Sequence, residues 1–235
     1  IHSNLEALEA ALEAVSRLNV GRIVCLGDLV GYGADPQAVV TRIREVAEFT
    51  IMGNHDAAVA GKMDFLYYYD SAKEALLWTR EQLSVENLAF LQALPYIHEE
   101  ERGCYVHGEP LEPETFNYLY LFEHAEFMRY HYDRLKDVTF VGHSHLRRVY
   151  ELSPEDVIEL PVEDLVFRPD RKYAVAIGSV GQPRDYDPRA AFAVYDDNSH
   201  AVTFHRAEYS VDAVAEKILK AGLPDYFATR LYSGA

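Results

Sequence analysis

Four short apolar runs in this chain each end where glycine meets a side chain of metal-ligand type, and that repeated junction constrains the fold more than any other feature. Arg22-Ile23-Val24-Cys25-Leu26 runs into Gly27-Asp28, and Phe49-Thr50-Ile51-Met52 runs into Gly53-Asn54-His55-Asp56. Cys104-Tyr105-Val106 is followed by His107-Gly108, and Val138-Thr139-Phe140-Val141 by Gly142-His143-Ser144-His145. Runs of β-branched and aromatic residues closed by glycine read as buried strands. In open α/β sheets, ligands collect at the carboxyl ends of such strands. Asp, Asn and His are donors for hard-to-borderline divalent cations such as manganese, iron or zinc. Five of the ten histidines (His2, His55, His107, His143 and His145) lie in these clusters.

Between the runs the period changes to that of a helix. Leu5, Leu8, Leu12, Val15 and Leu18 recur at spacings of three and four, which predicts an amphipathic helix over 3–19, with Glu6, Glu9 and Glu13 on its solvated face. A second helix is expected near 36–47, where Pro36 suits the first turn. From 71 to 94 the pattern is helical again through Leu76, Leu77, Leu83, Leu88 and Leu91, with Ser84 as a cap between two helices. Segment 109–123 reads as a loop shaping access to a site, residues 124–136 as a helix, and 190–195 with 201–206 as a hairpin. Most of the 17 tyrosines, Tyr67-Tyr68-Tyr69 among them, read as packing residues, while those in 116–122 could stack on a nucleobase or aryl group. This alternation is that of an α/β protein. No repeat or linker divides the chain, so 1–235 is read as one domain with a helical insert at about 57–100.

The balance of charge narrows the partners. Lys plus Arg number 22 against 38 Asp plus Glu, a formal −16, so the chain lacks the basic stripe that a nucleic-acid polymer requires. No apolar stretch approaches the ~20 residues of a membrane span. Two cysteines in apolar runs argue for a reducing, cytoplasmic setting. Cys25 is no ligand candidate, because an odd separation from Asp28 on a strand puts it on the other face.

The blocks together, Gly27-Asp28, Gly53-Asn54-His55-Asp56, His107 and Gly142-His143-Ser144-His145, resemble the calcineurin-like metallophosphoesterase superfamily. Ile1-His2-Ser3-Asn4 looks like the tail of its opening Asp-x-His block, so an aspartate after a short strand is expected immediately before Ile1. Gly31-Tyr32-Gly33-Ala34-Asp35-Pro36 and Gly178 to Asp185 are similar to a bacterial branch related to diadenosine tetraphosphatases and serine/threonine phosphatases. The resemblance implies an α/β four-layer sandwich, two mixed β-sheets face to face with helices outside, and the helical insert covering one edge of the site. It also implies two divalent metals, drawn from manganese, iron, zinc or nickel, activating a water between them. His2, Asp28 and His145 with the preceding aspartate would hold one; Asp28, Asn54, His107 and His143 would hold the other. A bridging role suits Asp28, because a carboxylate offers an oxygen to each cation and a neutral imidazole offers one lone pair.

By the same resemblance His55 is the general acid, near its ordinary pKa of ~6.5, and with Asn54 it faces the substrate. Asp56 joins His55 as a catalytic residue, either orienting a neighbour or capping the following helical turn. The phosphatases carry an aspartate and a phosphate-gripping arginine where this chain has Gly31 and Tyr32; Arg184 or Arg147 could substitute. The expected activity is hydrolysis of small phosphate esters, extending to nucleotides and dinucleotides. The alternatives are a protein serine/threonine phosphatase and a non-catalytic metal-binding scaffold.

Overall fold

Period-two burial along the central strands decides how the layers stack. The computed structural model describes residues 1–65, 68 and 70–235, so the expectations for Tyr67 and Tyr69 lie outside the described residues. The elements run α1 (Leu5–Ser16), β1 (Val24–Cys25), α2 (Pro36–Val46), β2 (Phe49–Thr50), α3 (Asn54–Ala60), α4 (Asp70–Gln82) and α5 (Val85–Ala93). They continue through β3 (Ile97–Glu99), β4 (Gly103–Val106), α6 (Phe122–Arg129), β5 (Val138–Val141), β6 (Arg147–Leu152), β7 (Val157–Leu160) and β8 (Leu165–Val166). The chain closes with β9 (Lys172–Ile177), β10 (Ala190–Asp196), β11 (Ala201–Ala207), α7 (Val211–Lys220) and α8 (Asp225–Thr229).

A mixed six-stranded sheet has the order β3-β4-β5-β9-β6-β7, parallel only at β4-β5 and β5-β9. On one face Tyr105, Val138, Phe140, Val149, Tyr173 and Val175 meet Leu26, Ile51 and Val202, which brings the parallel β1-β2 pair and the antiparallel β10-β11-β8 sheet against it. Alternate residues Cys104, Val106, Val141, Tyr150 and Ala174 point the other way, under Ala125 and Met128 of α6. Beyond the second sheet, Ala7 and Ala11 of α1 cover Ala190, Phe192 and Ala207. The result is a mixed α/β architecture with two main sheets and helices outside, as expected.

Helix starts follow local chemistry. Asn4 accepts from the Ala7 amide at 3.0 Å and Ser84 from the Asn87 amide at 3.2 Å, each satisfying a donor that the first turn leaves open. Two boundaries differ from the sequence reading. The helix expected over 124–136 is α6 alone, followed by a separate 3₁₀ turn at Tyr132–Arg134. The Lys172 ammonium holds the Tyr132 and Leu135 carbonyls at 2.7 and 2.6 Å, taking up acceptors that a continuous helix would have used internally. The helical run after 57 ends at Ala93, and Ile97–Glu99 pairs with β4 as an edge strand within the expected insert. Sequence reasoning overlooked α7, although Ser210 caps it at Ala213 and Val214, Ala215 and Ile218 form a buried stripe. That stripe packs with Phe227 and Leu231 around Tyr32, which brings the C-terminal helices to the β1 loop. Among the described residues no helix is long and apolar enough to cross a membrane.

Candidate metal centre

The loops after β1, β2, β4 and β5 converge at one end of the two sheets, and the chain bends unusually there. His2, Asp28, His143 and His145 all have left-handed backbones, with φ of 55°, 52°, 60° and 59°. Non-glycine residues rarely adopt that conformation, and its cost is characteristic of functional sites. Here it turns each side chain inward, Asp28 and His143 from the ends of β1 and β5.

Three histidines are locked in one tautomer. Nδ1 of His2 lies 3.0 Å from the Val30 carbonyl, that of His107 2.6 Å from Leu26, and that of His145 2.6 Å from Gln182. A carbonyl can only accept, so Nδ1 carries the proton and Nε2 presents its lone pair. Asp28 Oδ2 stands between two of those nitrogens, 3.4 Å from His2 Nε2 and 3.1 Å from His107 Nε2. Burial opposes ionisation of Asp28, but His107, His55 and His2 hold it well below the usual carboxylate range.

The donor set fits divalent cations on two observations. His2 Nε2 and His145 Nε2 face each other at 2.9 Å. With both Nδ1 atoms protonated, two lone pairs meet, an arrangement that needs a cation. Burial pushes both rings well below their ordinary pKa, which disfavours a proton in that place. On the other side, Asn54 donates from Nδ2 to the Tyr68 hydroxyl at 2.5 Å, and that hydroxyl points its own proton at Met63 Sδ. Asn54 Oδ1 is left buried and unpartnered. Asp28, His107 and His143 form one group whose ligand-type atoms lie within 4.8 Å of one another, the set expected for the second metal apart from Asn54. The other group is His2, Asp28 and His55. His55, expected outside the ligand set, thus lies within reach of this group, and His145 Nε2 adjoins it through His2 at 2.9 Å.

Two expectations change in the structure. His55 does not sit near its ordinary pKa: burial, assisted by the charges of His107, Arg184 and Arg230, pulls it to about 4 despite Asp28. Its Nδ1 is buried without a partner, and its amide donates to Asp28 Oδ1 at 2.9 Å. Asp56, expected as a catalytic residue that either orients a neighbour or caps the following helical turn, has both carboxylate oxygens turned to backbone, in line with the second alternative. Oδ1 accepts from Leu29 and Val30 amides at 2.9 and 3.3 Å, and Oδ2 from Gly53 at 3.1 Å. It caps α3 and braces the Asp28 loop against the Asn54 loop. Asp56→Ala is expected to cost about 3 kcal/mol or more, since buried amides left unpaired cost ~1–3 kcal/mol each. Chemical denaturation checks this, and a loss under 1 kcal/mol contradicts the brace.

Of the two arginines considered, Arg147 pairs with Asp185 at 3.0 Å, and Arg206 binds the same carboxylate, so that guanidinium is engaged away from the centre. Arg184 instead acts on His55, His143 and His145. Gly31 has φ +90°, and a Cβ there would lie 2.4 Å from His55 Nδ1. Gly31→Ala should therefore displace His55 and slow turnover about tenfold or more with metal content retained, given the sensitivity of reacting groups to displacements near 1 Å. An unchanged rate would show that the ring has room to move. Sequence reasoning missed Tyr68, Gln182 and Arg230; Tyr68 and Gln182 stand in stretches it had noted, and nothing local marks Arg230.

A family model described as calcineurin-like phosphoesterase matches residues 1–176. An uncharacterized protein of Methanocaldococcus jannaschii is 37% identical over 238 residues, covering 100% of this chain and 95% of the relative. The crystal structure of a metallophosphoesterase from Sphaerobacter thermophilus superposes with a TM-score of 0.84 at 33% identity, covering 100% of this chain and 96% of that one. A hypothetical protein from Pyrococcus horikoshii shares the fold, with a TM-score of 0.80 at 23% identity and the same coverage.

Proposed function

The chain belongs to the calcineurin-like phosphoesterase family, and from that premise we propose that it is a metal-dependent hydrolase of small phosphate esters working with two divalent cations. One observation carries the reading: a buried carboxylate oxygen lies between the Nε2 atoms of two buried histidines, 3.4 and 3.1 Å away. His2, Asp28 and His145 would hold one cation, and Asp28, Asn54, His107 and His143 the other. When bound, such a pair supplies Lewis acidity, an activated water and a clamp on the oxygens of an in-line displacement.

The protein's own groups do the rest. Asp28 balances the cationic charge, and neutral Asn54 leaves the centre net positive for an anionic ester. His55 is neutral in the free protein, and an incoming phosphate favours its charged form through opposite charge. The proton then sits on a ring able to pass it to the leaving oxygen. Tyr118, stacked on His143 at 3.9 Å and 16°, narrows the entrance from the 109–121 loop. With Gly31 and Tyr32 in the β1 loop and a −16 surface, this favours compact substrates, nucleotide-type esters included, over phosphoproteins.

Chelation should abolish hydrolysis of aryl phosphomonoesters and diesters, and reloading with manganese, iron, zinc or nickel should restore it. Turnover that survives metal removal, or inertness of the loaded protein toward every ester, sinks the proposal, and inertness leaves the scaffold reading. A side-by-side kcat/KM comparison of small diesters and nucleotides with phosphoserine and phosphothreonine peptides should favour the small esters. A tenfold preference for the peptides, about 1.4 kcal/mol of transition-state discrimination, would move the protein among the protein phosphatases.

A further inference from the structure

We propose that Arg230 and Arg184 form an anion grip beside the metal centre and hold the oxygens of the substrate's phosphate. The inference rests on the phosphoesterase reading above and adds the residues that recognise the substrate.

Arg230 follows α8, far in sequence from the metal-centre loops. Its guanidinium lies over the Tyr32 ring at 4.4 Å and is flanked by Tyr226 and Phe227 at 5.3 Å each. The Tyr32 ring in turn stands 4.5 Å from the His55 ring and 4.6 Å from His2. One aromatic ring therefore separates the guanidinium from two histidines of the centre. Nε donates to Gln182 Oε1 at 2.7 Å, and the carbonyl of the same Gln182 orients His145. A single buried residue thus holds both a metal-ligand candidate and the arginine in register.

Tyr226 takes a further hydrogen bond from the Arg230 side chain, and one arm of the fork is left over. Arg230 Nη2 is buried with no hydrogen-bond partner. The groups that act most on its charge are Arg184, Tyr32 and Tyr226. Burial and the neighbouring Arg184 pull it below the ordinary arginine value. Arg184 is fixed from its own backbone, whose amide donates to the His145 carbonyl at 3.3 Å; its side chain hydrogen-bonds the Tyr118 hydroxyl and its charge reaches His143. A desolvated Arg230 with a second arginine acting on it is costly unless an anion offsets the charge. A phosphoryl group supplies several acceptor oxygens, and guanidinium forks bind such groups in bidentate fashion. The Asp28 loop, from Gly27 to Gly33, offers no basic side chain of its own, so the grip must come from elsewhere in the fold.

The test measures inorganic phosphate binding to manganese-loaded protein by calorimetry, with metal content and ester kinetics measured in parallel. Arg230→Gln and Arg184→Gln should each weaken phosphate binding about tenfold to a hundredfold, the range for losing a charge-assisted hydrogen bond. KM should rise more than kcat falls, with both metals retained. Arg230→Lys, which keeps the charge and loses the fork, should lie between wild type and Arg230→Gln. Wild-type phosphate affinity in both glutamine variants overturns the proposal. So does loss of phosphate binding only together with metal in Arg230→Gln while Arg230→Lys binds as wild type, because Arg230 is then a packing residue. If phosphate binding depends on both arginines and the loaded protein hydrolyses no ester, the grip stands and the hydrolase reading fails.

Discussion

Asp28→Asn is expected to strip the protein of most of its bound metal and to lower kcat/KM for aryl phosphates by roughly a thousandfold or more, since several kcal/mol of transition-state stabilisation would rest on the cations. The carboxylate is 3% exposed and its Oδ2 lies within 3.4 Å of both His2 and His107. Removing its charge would leave any bound cations without the anion that offsets their desolvation, and breaking one half of a buried charge pair is strongly unfavourable. The amide retains one carbonyl oxygen, so it can serve one cation and not two. Metal analysis by mass spectrometry and steady-state kinetics test this, with circular dichroism as a control for folding. A variant that keeps two metals per chain and a rate within tenfold of wild type would remove Asp28 from the bridge.

The second large effect concerns His55. His55→Ala should lower kcat by about 10²–10⁴, the usual range for losing a general acid, while metal content stays as in wild type. The structure makes that separation informative, because His55 shares a group with His2 and Asp28 in which ligand-type atoms lie within 4.8 Å. Its Nδ1 is buried and unpaired, so the ring is free either to carry a proton or to take a metal bond. If metal is lost and the remaining loaded fraction turns over at the wild-type rate, His55 belongs with the ligands and the acid must be sought elsewhere.

Much of the site is written in the chain itself because its signals are local. A strand closed by glycine and followed by Asp, Asn or His is a junction of five or six residues. His143-Ser144-His145, Gly27-Asp28 and Gly53-Asn54-His55-Asp56 each declare themselves within that span. The caps at Asn4 and Ser84 bond to amides three residues on, which again is legible from sequence alone. Alternation along 104–106, 138–141 and 172–177 carries the two-faced burial that stacks the layers.

What remained hidden depends on partners distant in sequence. The sequence leaves Asp56 between orienting a neighbour and capping a turn, and its bonds to amides 26 and 27 residues away are visible only in the fold. His55 looks like an ordinary imidazole until burial brings it to about 4. No pattern in the chain predicts that Arg230 lies over Tyr32, since α7 and α8 reach that loop only through packing around Ile218 and Phe227. Residue types and their places at strand ends were determined by the sequence itself, because period and turn chemistry act over a few residues. Only the tertiary structure decided which nitrogen each histidine presents, which carboxylate faces the centre and which arginines border it. Those choices are set by carbonyls, rings and charges that folding draws from far along the chain, as in the pair His2 and His145, 143 positions apart.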